Sequence, residues 1–323
     1  EKPMIYAISE GHPVMEAAKK SGKIVQVGSQ RVSSIGYQKA KELLAAGEIG
    51  ELNMVNAVYD RQSSIGAWQY TIPKDANPET TSWEKYIEIT DKMEFDPKKF
   101  FWWRAFKEVG TGVAGDLFIH LLSGTHVITG SKGPESIFST GQLSYWNDGR
   151  NLPDVMSGVM QYPESPEHPA YLMTLQVNFI SGTGGQEIIQ LVGSEGVMTL
   201  RGNGLSLTHS IMPEAPGFGG YDSLFTFSKS MQEEMRADYE AKWTEEQRKR
   251  PIKEDVVFRA PDGYSDHLDH FTNFFDAIRT NGKVVEDAEF GFRAAAPALA
   301  CNQSYFDQEI IHWDPVNLKL KKG

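Results

Sequence analysis

Apolar positions change their period twice along this chain. From Pro3 to Gly28 they read as loop, helix and strand: Val14, Ala17 and Ala18 are spaced for one buried stripe, with Ser9 as candidate cap and Gly22 as stop. Ile24-Val25-Gln26-Val27 follows as a short buried strand, the closing piece of a parallel α/β unit. Tyr37, Ala40, Leu43 and Leu44 mark a second helix ending at Gly47, and Leu52 to Tyr59 reads as a strand. Residues 61–109 are irregular and rich in aromatic side chains, the mark of a functional loop rather than filler. Leu117, Ile119, Leu121, Leu122, Val127 and Ile128 then predict a buried helix. From Ser136 the period drops to two. Short runs at 136–146, 155–162, 170–180, 186–193, 196–200 and 204–209 are separated by turns such as Gly193-Ser194-Glu195-Gly196, and predict a mostly antiparallel sheet. A polar helix is expected near 224–250, two more near 266–280 and 288–306, and Ile310–Trp313 as a last strand.

Composition narrows the classes. The 323 residues are 40% hydrophobic and 23% charged, an ordinary globular balance with enough chain for two domains. The net charge of −11 argues against a nucleic-acid or anionic-membrane partner. One cysteine, Cys301, excludes an internal disulfide framework and a multi-cysteine metal site, and it falls in an alanine-rich helix as a buried thiol. No run reaches transmembrane length. The opening Glu1-Lys2-Pro3 reads as the middle of a gene product.

The chemistry concentrates in residues 110–120. Gly110, Gly112 and Gly115 fit the G-x-G-x-x-G spacing of a phosphate loop, but aromatic and charged residues precede them instead of an apolar strand. Glu135, at the distance of the acidic partner, begins a strand rather than ending one. The competing reading is an acid and an imidazole four residues apart, Asp116 and His120, sharing a helix face. A histidine moves protons near neutral pH, and a carboxylate one turn away orients it and stabilises its charged form. His267, Asp269 and His270 have the residue types of a metal site. Neighbours do not share a helix face, so a solvated helix surface and no metal is the expectation.

Taken in order, these segments resemble the Gfo/Idh/MocA oxidoreductases, the family of glucose–fructose oxidoreductase and inositol dehydrogenase. Glu1-Lys2-Pro3 resembles the family's Glu-Lys-Pro motif, Val25-Gln26-Val27-Gly28 the strand after it, and Gly112 to His120 its glycine-rich stretch ending in Asp-x-x-x-His. The turn at 193–196 and Trp313-Asp314-Pro315 are similar to features of its sheet domain. The resemblance implies an α+β chain: a remnant of a Rossmann domain over 1–34, then a large, mostly antiparallel open-faced sheet domain with helices on one side over 35–323. It implies hydride transfer between NAD or NADP and a secondary alcohol of a sugar, sugar derivative or cyclitol in bacterial carbohydrate metabolism, and a homo-oligomer formed through the sheet face.

Carried over by position, Lys2 would bond the reacting hydroxyl, His120 would be the general acid/base, and Asp116 its orienter or a substrate ligand. Glu1, Lys2, Pro3, Gln30 and Arg31 would face the cofactor; Trp103, Arg104 and Arg150 would face the sugar. The family's phosphate-binding fingerprint lies upstream of Glu-Lys-Pro, roughly 90–130 residues by βαβ size. The expectation is therefore that this chain alone binds no dinucleotide and is inactive. The alternatives are an NAD-dependent glycoside hydrolase of the same fold and a non-catalytic oligomerisation or sugar-binding module. Cytoplasm and periplasm stay open.

Overall fold

A computed structural model describes residues 1–88 and 90–321. Its centre is a ten-stranded sheet. In chain order the strands are β1 (Leu52–Asp60), β2 (Ser136–Gln142), β3 (Val155–Tyr162), β4 (Tyr171–Asn178), β5 (Gln186–Gly193), β6 (Gly196–Arg201), β7 (Gly204–His209), β8 (Val256–Phe258), β9 (Ile311–Asp314) and β10 (Lys319–Leu320). Their spatial order is β10-β9-β2-β3-β4-β1-β5-β6-β7-β8. All neighbours are antiparallel except β1 and β4, which run parallel with Val55 opposite Met173. On its other edge β1 pairs antiparallel with β5, Val55 opposite Leu191.

Alternation decides the sheet's two faces. In β3, Met156, Gly158, Met160 and Tyr162 are buried while Ser157, Val159 and Gln161 are exposed, as a period of two requires of a half-covered strand. The helices are α1 (Gly11–Ser21), α2 (Ile35–Ala45), α3 (Trp83–Tyr86), α4 (Pro97–Phe101), α5 (Ile119–Thr129), α6 (Lys229–Lys242), α7 (Asp266–Thr280) and α8 (Ala288–Asp307). The covered face lies under α2, α5 and α8. Every residue of α5 except Val127 is buried, which is why its apolar residues go all the way round. In α8, Ala294, Ala295, Ala296, Ala298 and Ala300 keep side chains short, so the helix backbone reaches β2: the Ser139 hydroxyl donates to the Cys301 carbonyl, and Ser304 Oγ accepts the Ser139 N–H. Cys301 is fully buried, and burial pushes its thiol well above the usual range. The other face leaves Phe138, Val159 and Leu172 exposed.

Several expectations change. Residues 24–27 join no sheet; the Val27 N–H bonds the Glu286 carbonyl instead, because no described strand offers an edge there. Ser9 lies inside a 3₁₀ turn and caps nothing; Glu10 Oε2 accepts the Tyr6 and Ala7 N–H groups in its place. Gly22 does stop α1, in the left-handed conformation at φ 61°. The aromatic stretch 61–109 holds two short helices, α3 and α4, the second capped by Asp96. The polar helix shortens to α6, capped by Ser228. In α7 the histidines part: His267 is exposed, but His270 is buried and bonds the Val27 carbonyl and Ser33, so the helix-surface expectation fails for it. Leu268, Phe271, Phe275 and Ile278 form an exposed apolar stripe on the same helix.

Candidate active site

The predicted pair Asp116/His120 begins on an unusual turn. Residues Ala114–Phe118 are π-helical and pass directly into α5. A π turn holds more residues than an α turn, so positions 116 and 120 lose the common face that an unbroken α-helix would give them. Asp116 makes no hydrogen bond to His120 and bonds two cations instead. Its Oδ1 accepts from Lys2 Nζ at 2.9 Å and from Arg104 Nε at 2.9 Å, and Lys2 Nζ also reaches the Asp116 carbonyl. Sequence reasoning placed Lys2 and Asp116 in one site, and the structure brings them into contact. The direct Asp116–His120 hydrogen bond expected of an orienting acid is not formed.

Electrostatics follow from this geometry. Burial opposes ionisation of Asp116, but the Lys2 and Arg104 charges and hydrogen bonds outweigh it and hold the carboxyl below its usual range. Burial likewise pulls the Lys2 ammonium down, against Asp116, with Arg104 and Arg61 pulling in the same direction as burial. His120 is buried, and desolvation followed by the Lys2 charge drives its pKa well below 6.5, so the ring is neutral at pH 7. His120 Nδ1 is a buried atom with no partner. A buried, unpaired imidazole nitrogen beside an ion pair is costly for folding alone, and it points to a ligand or proton-transfer role.

The other expected residues divide. Trp103 and Arg104 stand at the site, the guanidinium 4.2 Å over the Trp103 ring. Lys2 and Trp103 also line one cavity, of about 520 Å³, with Glu1 and Pro3. Gln30 opens a 3₁₀ turn, Gln30–Ser33. Arg31 is fully engaged: Nε and Nη2 fork onto Glu187 of β5, and Nη1 bonds Asp266 of α7 at 2.8 Å. That leaves Arg31 tying elements together, with its charge within reach of His120. Arg150 is not brought to the site; its buried guanidinium bonds Asp148 and the Ala67 carbonyl. Sequence reasoning missed Tyr59 and Arg61. The Tyr59 ring lies 5.8 Å from His120, and Arg61 lies 5.6 Å over Tyr59. The only signal was proximity: Arg61 directly follows β1, two positions after Tyr59, and both are half-buried.

The glycines are no phosphate cradle. A Cβ at Gly110 would meet the Trp103 carbonyl at 2.3 Å, and one at Gly115 the Thr111 side chain at 2.2 Å, so the protein's own atoms already fill the space. Among the described residues, Lys2 and His120 stand as the ammonium and the imidazole of this cluster. No group of three or more potential metal ligands occurs among the described residues.

This arrangement meets its class in comparisons with known proteins. The family model described as the oxidoreductase family, C-terminal alpha/beta domain (GFO_IDH_MocA_C) matches residues 41–312. The chain belongs to the Gfo/Idh/MocA oxidoreductase family. Its fold is similar to an inositol dehydrogenase homolog from Azotobacter vinelandii, complexed with NADH and myo-inositol, at 16% identity and TM-score 0.59, over 97% of this chain and 70% of that one. It is similar also to the aldose-aldose oxidoreductase of Caulobacter crescentus complexed with glycerol, at 12% identity and TM-score 0.60, over 96% and 70%. A levoglucosan dehydrogenase in complex with NADH and L-sorbose gives 14% identity and TM-score 0.61, over 98% and 73%. No curated protein matches by sequence. At such identities the likeness concerns the fold.

Proposed function

We propose that the protein is an NAD(P)-dependent dehydrogenase acting on a secondary alcohol of a sugar, sugar derivative or cyclitol. The observation that carries this reading is one cluster: Lys2 held by Asp116, and a buried neutral His120 beside it. Oxidising a carbinol removes a hydride from carbon and a proton from oxygen, leaving a carbonyl. A bound nicotinamide ring supplies the hydride acceptor. His120, neutral and unpaired, takes the hydroxyl proton. Lys2, fixed by Asp116 and Arg104's shared carboxylate, donates an N–H to the oxygen as negative charge builds on it. Glu1 and Pro3 would border the nicotinamide with Lys2, with Gln30 at the next turn; Arg31 would order the wall rather than bond the cofactor.

Residues 1–34 fit the closing part of a dinucleotide-binding domain, with 35–323 as the substrate domain. The unpaired segment 24–27 and the bare apolar stripe of α7, to which Gln26 is bonded through the His270 carbonyl, both support a further layer on this side. The uncovered sheet face supports self-association. The test is NADH or NADPH formation by the product of the intact gene with a panel of polyols and sugars. Formation that vanishes in Lys2→Met and His120→Ala supports the reading; no reduced cofactor with any of them removes it.

A further inference from the structure

Resting on the dehydrogenase reading, we infer that the substrate is an anionic sugar, one whose carboxylate or phosphate is met by Arg61 and Arg104. Lys2 and Arg104 share a single carboxylate, Asp116, and the Arg61 charge acts on both Lys2 and His120, in a chain whose net charge is −11. Lys2 and one edge of Arg104 are committed to Asp116. Among the described residues, the two terminal nitrogens of Arg104 have no hydrogen-bond partner in the protein, while Trp103 under the guanidinium plane fixes its orientation. Arg61 donates from Nη1 to the Gly66 carbonyl at 2.7 Å and lies against Tyr59 and Phe179, and no described carboxylate pairs with it. It lies over Tyr59, and Tyr59 lies against His120, so the charge stands on the reacting side of the strand.

The nearby triad Arg31, Glu187 and Asp266 does not answer these charges. Its two carboxylates are spent on Arg31 itself, one by a two-pronged pair and one at 2.8 Å. Nor does the oxidised nicotinamide, which is itself cationic. A neutral sugar would leave the terminal nitrogens of Arg104 and the Arg61 charge without an anionic partner once water is displaced, and a charge without a counter-charge is expensive away from water. A carboxylate or phosphate beside the reacting carbinol removes that cost, and the planar fork of arginine matches either group. The same charge gives discrimination: a site with free guanidinium edges rejects the uncharged analogue by leaving its own donors unsatisfied.

Matched pairs decide it. The intact gene product with NAD+ or NADP+ is given glucose, glucuronate and glucose 6-phosphate, and the galacto counterparts. The expected result is kcat/KM at least tenfold higher for one acid class than for the neutral sugar. Glucuronate against the 6-phosphate distinguishes carboxylate from phosphate. Arg61→Gln is expected to shrink that preference about tenfold, through KM for the acid, and Arg61→Lys to restore part of it. Neutral sugars oxidised as well as the acids would overturn the inference and leave the dehydrogenase reading standing. If no sugar is oxidised, that reading fails, and calorimetry without cofactor still tests the site: glucuronate or glucose 6-phosphate binding more tightly than glucose supports the inference, and equal or absent binding overturns it. An Arg61→Gln variant that weakens only NADH binding would assign the charge to the cofactor and overturn it as well.

Discussion

At the scale of single residues, the site couples a low-pKa carboxylate, a depressed ammonium and a neutral imidazole within one buried cluster. Asp116→Asn keeps the shape but removes the charge that holds Lys2. The expected outcome is a fall in kcat of about 10²–10³-fold, the range for losing one positioned donor to a developing oxyanion, with KM moving much less. Steady-state kinetics on the variant check it. Because burial depresses His120 below 6.5, the ring stays a base to well below neutral pH. The acid limb of the kcat profile is expected below pH 6.5, and a limb above 7 would contradict the assignment. Its stability consequence has a definite sign. A His whose folded pKa is depressed stays unprotonated while the unfolded chain takes up a proton, so stability falls as pH drops from about 6.5 toward the folded value. Glu286 works in the opposite direction. Burial raises it to about 8 from 4.5, so the folded state keeps a proton that the unfolded state releases. Between roughly pH 4.5 and 8 it is expected to cost about 1.4 kcal/mol per pH unit. Thermal melts of Glu286→Gln should match the parent at pH 4 and exceed it at pH 8.

At the scale of elements, Arg31 joins β5, α7 and the turn just after residues 24–27. Both of its partner carboxylates are largely buried. Arg31→Gln strands them and is expected to cost about 2–4 kcal/mol, near the lower end of the penalty for breaking a buried pair. Adding Asp266→Asn should recover part of that loss, which a double-mutant cycle in denaturant would read. The sheet was legible in the sequence because its period of two is strong and half its face is covered. The run 155–162 and the run 186–193 match their strands. The helix expected near 266–280 matches α7, which Ser265 caps and Asn281 ends in the left-handed conformation. Three features were not legible. The π turn at Ala114–Phe118 leaves no mark in apolar spacing, so Asp116 and His120 read as one face. Arg61 reads as a loop residue because the apolar run of β1 ends at Tyr59 and the strand itself at Asp60. Residues 24–27 carry the composition of a strand, and composition cannot say whether an edge exists to pair with.

At the scale of the whole molecule, one face of the sheet is covered by helices and the other is not. If the bare face carries an oligomer, Phe138→Glu with Val159→Lys is expected to reduce the mass seen in light scattering to that of a single chain, with the fold intact by circular dichroism. The position of β1 has a consequence for the birth of the protein. It is central in the sheet, yet both strands that flank it are encoded more than a hundred residues later, at 171–178 and 186–193. During synthesis β1 therefore has neither flanking strand until residues 171–178 have been made, and lacks the second until the chain as far as Gly193 has left the ribosome. Pairing at such sequence separation is slow and exposes the chain to aggregation and to chaperones. Tyr59 rides on that same strand, and Arg61 directly follows it. The wall of the site is thus completed only with the late strands that also close the middle of the sheet.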